Sequence, residues 1–102
     1  MNLPLINEIQ IIPVKPIDGL MAFCSFLWDG ILYIGDVGIH LRPDGQNIRL
    51  VFPTRRLANG KQIACVHPIR REVADHITAQ VEKKYQELLK KCGEHYEQTF
   101  IS

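Results

Sequence analysis

Cysteine is scarce in this 102-residue chain: Cys24, Cys65 and Cys92 are odd in number and far apart. That argues against a disulfide framework and for a reducing compartment. It also leaves little to hold zinc. Cys65 and His67 stand two apart, but no second ligand pair follows at zinc-site spacing, so no metal or other cofactor is expected. Cys24 and Cys65 fall in apolar, strand-like runs, where a free cysteine acts as a small hydrophobe. Long apolar runs are missing too; none approaches the roughly 20 residues that cross a bilayer. Residues 1–6 lack the positive stretch and cleavage pattern of a secretory leader. Together these absences lead to the expectation of a cytoplasmic protein with no membrane partner. Catalytic motifs are equally thin. The chain has no Gly-rich phosphate loop and no nucleophile elbow. Asp36 and His40, four apart, are read as an ordinary exposed hydrogen-bonded pair rather than an acid–base couple. His67, just before Pro68, is read as a partner for local backbone groups. The expectation is a protein without enzymatic activity.

Acids are scarce in one place above all. Residues 42–71 hold Arg42, Arg49, Arg55, Arg56, Lys61, Arg70 and Arg71 against Asp44 alone, a net of +6. Residues 1–41 carry a net of −3 and residues 72–102 a net of −2, so the chain's overall +1 conceals a strongly basic middle. Arginine outnumbers lysine there, and guanidinium is planar, permanently charged and bidentate, which suits phosphate. A solvated basic loop with no ligand is the other reading of the same window. Aromatics are sparse among these residues. Phe52 is the one ring in the basic window, and its parity puts it in the core, so stacking on single-stranded bases gains no support from sequence. Backbone-dominated, salt-sensitive binding is the expectation that charge supports. Arg70 and Arg71 stand at a helix start, where unpaired N–H groups favour an anion.

What is present is the makings of a folded domain. A hydrophobic fraction of 46% is that of a globular protein, not a disordered one. The first two-thirds read as β. Glu8–Ile12 alternates before Pro13, placing a strand near 6–12, and the proline-bearing stretch 13–19 is an edge or a connection. Asp18-Gly19 and Asp29-Gly30 mark turns. Between them Leu20–Trp28 is apolar on both parities, which predicts a strand buried on both faces, by a helix and by a second subunit. Ile31–Leu41 is a long strand with Ile31, Tyr33, Val37, Ile39 and Leu41 on one parity, and Gly35 and Gly38 signal a bulge or bend. After the turn at Pro43-Asp44-Gly45, Ile48–Phe52 alternates. Pairing Leu41 with Ile48 sets His40 against Arg49 and Arg42 against Asn47, on one exposed face. A basic connection turning at Asn59-Gly60 leads to a short strand, Gln62–Val66. Val73, Ile77, Val81, Tyr85, Leu88 and Cys92 then form one helical stripe. Pro68 suits its first turn and Gly93 its end. The fold class is therefore α+β: an antiparallel sheet of about four to five strands, then one long C-terminal amphipathic helix. One domain spans 1–102, with the sheet in 1–67, the helix in 68–92 and a loose tail in 93–102, from which Tyr96, Phe100 and Ile101 could dock.

Phe52-Pro53-Thr54-Arg55-Arg56, then Asn59-Gly60-Lys61, then His67-Pro68-Ile69 and an amphipathic helix resemble the stage V sporulation protein G (SpoVG) family of bacterial septation regulators. There the corresponding order is Met-Pro-Ser-basic-basic, a Gly turn, and a His-Pro-Ile junction. Ile9–Val14 followed by Leu20-Met21-Ala22-Phe23 is similar to that family's opening strands. The resemblance covers most of residues 8–90. Phe52 stands where the family has methionine, and residues 93–102 have no counterpart. The resemblance implies a small α+β homodimer that binds DNA and RNA, regulates septation, sporulation or virulence genes, and has no enzymatic activity. Arg55 and Arg56 match the family's basic pair. Phosphate contacts are accordingly expected from Arg42, Arg49, Arg55, Arg56, Lys61, Arg70 and Arg71. The alternative is a protein-interaction module in cell-division control whose basic surface meets an acidic partner.

Overall fold

The structure, a computed structural model, describes residues 2–45 and 47–101, with side chains described through residue 91. Among the described residues six strands precede one helix: β1 (Ile6–Ile17), β2 (Leu20–Trp28), β3 (Leu32–Leu41), β4 (Ile48–Val51), β5 (Thr54–Arg56), β6 (Gln62–Ala64) and α1 (Arg71–Ile101). Strands β1 to β4 form one antiparallel sheet in chain order, and β5 pairs with β6 in a separate two-stranded ribbon. This is the expected α+β class. No helix among the described residues is long and apolar enough to cross a membrane.

Local chemistry sets the sheet's turns. Asp18 and Gly19 take φ of 51° and 88°, and Asp29 and Gly30 take 54° and 68°. Two successive left-handed residues match the right-handed twist of the flanking strands, and Asp and Gly tolerate them. Asp29 has a second role. Its Oδ1 accepts from the Leu5 backbone N–H at 2.8 Å, and its own N–H donates to the Leu5 carbonyl at 2.8 Å. That pair ties the N-terminal segment to the β2–β3 turn. β1 runs on through Pro13 and Pro16 to Ile17, beyond the expected end near residue 12. It is an edge strand, so a proline's missing N–H can face outward at no cost to the ladder.

Helix α1 covers one face of the sheet. Val73, Ile77, Val81 and Tyr85 are buried as one stripe, with Leu88 half-buried beyond them. They meet Ala22, Cys24 and Phe26 of β2, Ile34, Val37 and Ile39 of β3, and Ile48 of β4, while Phe52 packs partly buried against this core. Burial raises the Tyr85 hydroxyl above its ordinary pKa.

The structure bears on four sequence expectations. First, α1 covers one face of β2, with Ala22, Cys24 and Phe26 inside, and Phe23 on the opposite face, the one expected to meet a second subunit, is 36% exposed in the single chain. One helix can cover one side of a sheet. Second, β3 changes parity midway. Cys24 faces Val37 and Phe26 faces Ile34, which leaves Gly35 and Asp36 opposite Ser25 alone, with Asp36 at φ 60°. This bulge moves Ile34 inside ahead of Val37 and Ile39, and it turns Tyr33, 68% exposed, to the open face. The two glycines pointed to the bulge, but not to its effect on Tyr33. Third, α1 begins at Arg71, not at Pro68, and runs through Gly93 to Ile101. The Arg70 carbonyl accepts from the Ala74 N–H at 3.0 Å, which makes Arg70 the N-cap. Glycine costs a helix interior roughly 0.5–1 kcal/mol relative to alanine, a penalty rather than a stop. The side chains of Cys92, Tyr96, Phe100 and Ile101 lie outside the described residues. Fourth, Cys65 is exposed rather than a buried hydrophobe, because β6 ends at Ala64 in a ribbon that no second layer covers.

The two described thiols therefore behave differently. Burial pushes the Cys24 thiol up to about 12 from its ordinary 9.0. With Cys92→Ser removing the third thiol, a disulfide reagent at neutral pH is expected to modify Cys65 at once and Cys24 only on unfolding. Equal rates in the native protein would show that the core opens at Cys24. The folded state holds the Cys24 proton to a higher pH than the unfolded chain does. This site's contribution to stability is thus complete below about pH 9 and declines as pH rises from there towards 12.

Candidate nucleic-acid interface

The basic residues lie on three elements. Arg55 and Arg56 form most of β5, an exposed strand whose partner β6 sets Ile63 opposite Arg55 and Gln62 opposite Arg56. The connection folds tightly. Gly60 at φ 86° donates its N–H to the Leu57 carbonyl at 2.9 Å, Leu57 donates to the Lys61 carbonyl at 2.7 Å, and Asn59 Oδ1 accepts from the Lys61 N–H at 3.0 Å. A segment expected to be a long basic loop is thus a ribbon ending in a built turn. Arg55, Arg56 and Lys61 are all exposed on it. The ribbon's base is closed by the Cys65 N–H, which donates to the Pro53 carbonyl at 3.0 Å just beyond the main sheet's last strand. No acid occurs in residues 54–64.

The second group sits at the β3–β4 end of the sheet. The expected register holds: Leu41 pairs with Ile48, His40 with Arg49, and the Arg42 N–H donates to the Asn47 carbonyl at 2.8 Å. Ile48 is buried, so Arg49 points to the open face. Arg42 is exposed but not wholly free, because its Nε donates to the Ile48 carbonyl at 3.2 Å. That bond anchors the guanidinium and leaves its remaining N–H groups for a ligand. Asp44, the window's one acid, accepts from the backbone N–H and the Nδ2 of Asn47 at 3.2 and 3.0 Å within the turn.

The third group fares worse. Arg70 and Arg71 are exposed at the start of α1, but Arg71 Nε lies 4.0 Å from Asp75 Oδ2 in an exposed i,i+4 pair, and Glu72 stands in the first turn. Two carboxylates already complement the helix dipole there, which weakens the expected anion site. None of the described hydrogen bonds or ion pairs links Arg70 or Arg71 to the other two groups.

The open face of the β1–β4 sheet adds residues that sequence reading assigned elsewhere. A shallow concavity of about 280 Å³ is lined by Ile12, Phe23, Tyr33 and Asp36 among others. A second, of about 290 Å³, continues from Phe23 past His40 and Val51 to Thr54, the first residue of the basic ribbon. Phe23 lines both. Asp36 and His40 share the second concavity without a hydrogen bond between them, so the expected pairing is not made. Tyr33 escaped the sequence reading because strict alternation sorted it with Val37 and Ile39. The signal that finds it is Gly35-Asp36, a pair able to supply the bulge that breaks alternation. Among the described residues no three His, Cys, Asp or Glu side chains gather where they could hold a metal ion.

No family model matches this chain, and no curated protein sequence matches it.

Proposed function

We propose that this chain is a non-enzymatic, cytoplasmic regulator that binds DNA or RNA, acting in septation, sporulation or gene regulation as its resemblance to the SpoVG family implies. One observation carries the reading: Arg55, Arg56 and Lys61 stand exposed together on a ribbon that has no acid of its own, and the β3–β4 hairpin adds the exposed Arg49 and Arg42. Phosphates are the ligands such an array suits, because it offers charge and forked donors with few carboxylates to repel them. Contacts of this kind position a nucleic acid without reading its sequence. The free thiols Cys24 and Cys65 support a reducing compartment. A mobility-shift series with DNA and RNA across salt is expected to give complexes at low salt that weaken steeply as salt rises. Failure to shift either nucleic acid at low salt, with capture of an acidic protein instead, would replace this reading with the protein-partner alternative.

We further propose a homodimer. β4 is an edge strand with one paired side, and unlike β1 it carries no proline to blunt it. Light scattering at micromolar concentration is expected to give about twice the 11.7 kDa chain mass. A monomer mass there would overturn the assembly.

A further inference from the structure

We infer that the open face of the β1–β4 sheet receives unpaired bases of single-stranded DNA or RNA, stacked on Tyr33 and Phe23. The inference rests on the nucleic-acid reading above and names the kind of nucleic acid. Its first support is placement. The bulge at Gly35-Asp36 turns Tyr33 onto the face where Phe23 already lies, and the two rings line one concavity. The second support is posture. A Cβ at Gly35 would lie 2.8 Å from Tyr33 Cε1 and Oη, so the ring folds back along the sheet across Gly35. It remains 68% exposed. A large ring laid along a surface, over a residue with no side chain to lift it, is a platform for another flat ring.

The third support is charge. The concavity beside Phe23 runs past His40, whose cross-strand partner is the exposed Arg49, and ends at Thr54, where β5 leads directly into Arg55 and Arg56. A strand whose bases lie on the rings would have its phosphates within the basic ribbon's side of the sheet. Asp36 is a carboxylate on this face. It lines both concavities beside Phe23, where it would repel a phosphate but can accept from the exocyclic amino group of a base. Bases in a duplex are already stacked and paired, so the face selects unpaired strands. The dimer is then left to the β4 edge.

The test uses the full chain and fluorescence anisotropy with three probes: a short oligothymidylate, an abasic strand of the same length, and a duplex. The wild type is expected to bind the oligothymidylate about tenfold or more tightly than the abasic strand, the scale of one base–aromatic stack. Tyr33→Leu and Phe23→Leu should each erase most of that ratio, with abasic binding and the salt slope unchanged. Gly35→Ala, which keeps the ring but pushes it from its seat, should reduce the ratio in part. Thermal melts confirm that each variant is folded. Equal wild-type binding to base-bearing and abasic strands, or an unchanged ratio in both ring variants, would overturn the stacking and leave the phosphate site standing. Loss of a dimer mass in Tyr33→Leu would also overturn it, by showing that a second copy covers this face. No binding to any probe at low salt would remove the nucleic-acid reading itself.

Discussion

Replacing Arg55 and Arg56 together with alanine is expected to flatten the log–log salt dependence of nucleic-acid affinity by about two units, one for each phosphate that the ribbon no longer neutralises. Each arginine–phosphate pairing releases close to one condensed counterion. Removing two should therefore weaken binding near 0.1 M salt, relative to a 1 M reference where counterion release confers little, by about 60-fold for a duplex and about 25-fold for a single strand, whose slope per phosphate is shallower. The weakening should be similar for unrelated sequences, because phosphate contacts carry no sequence information. Both side chains are exposed on β5 and make none of the described hydrogen bonds through their guanidinium groups, so stability should change by no more than about 0.5 kcal/mol. Lys83→Ala with Lys90→Ala is the matched control. It removes the same charge from the outer side of α1, where Glu82 and Glu87 stand alongside, and its effect on affinity and slope should be small. Titrating the wild type and both double variants at several salt concentrations decides the matter. An unchanged slope in Arg55→Ala/Arg56→Ala would move the phosphate site off the ribbon and favour an acidic protein partner.

How far the fold could be read in advance follows from which signals are local. The hairpins at Asp18-Gly19 and Asp29-Gly30, the His40–Arg49 register and the Val73–Tyr85 stripe all depend on residues within a few positions of one another, and all are present in the structure. The open face was not legible, because it depends on a count. A single extra residue at Asp36 exchanges inside for outside along β3, so Tyr33 and Val37 share a parity but not a face. Of the β5–β6 ribbon, β6 was read as the short strand Gln62–Val66, but β5 was hidden for another reason. A three-residue strand such as Thr54–Arg56, polar and without a buried face, has no hydrophobic alternation to betray it. Charge, by contrast, survives errors of register. The net +6 of residues 42–71 falls on the ribbon, the β3–β4 hairpin and the start of α1 whatever the register, but it does not say how these elements lie relative to one another.

The two phenylalanines of β2 should separate stability from binding. Phe26 is fully buried between the sheet and α1, beside Ile77 and Val81 in the core. Phe26→Ala deletes a large ring from a packed interior that can collapse only in part, and is expected to cost about 3–5 kcal/mol. For a domain of this size that corresponds to a fall in Tm of roughly 12 °C or more. Nucleic-acid affinity per folded molecule should be unaltered, because the ring never reaches the open face. Phe23, three residues earlier, lies on that face and is 36% exposed. Phe23→Ala leaves no enclosed cavity and is expected to cost about 1 kcal/mol, the ordinary value for a point substitution. Its effect should appear instead as weaker binding of single strands. Thermal melts and anisotropy titrations on the same two variants measure both quantities. If Phe23→Ala lowers Tm as far as Phe26→Ala does, and the fall depends on protein concentration, the open face is covered in the native assembly. The strand would then be buried on both sides, as its unbroken apolar run first indicated, and the rings would belong to an interface between two copies of the chain rather than to a base.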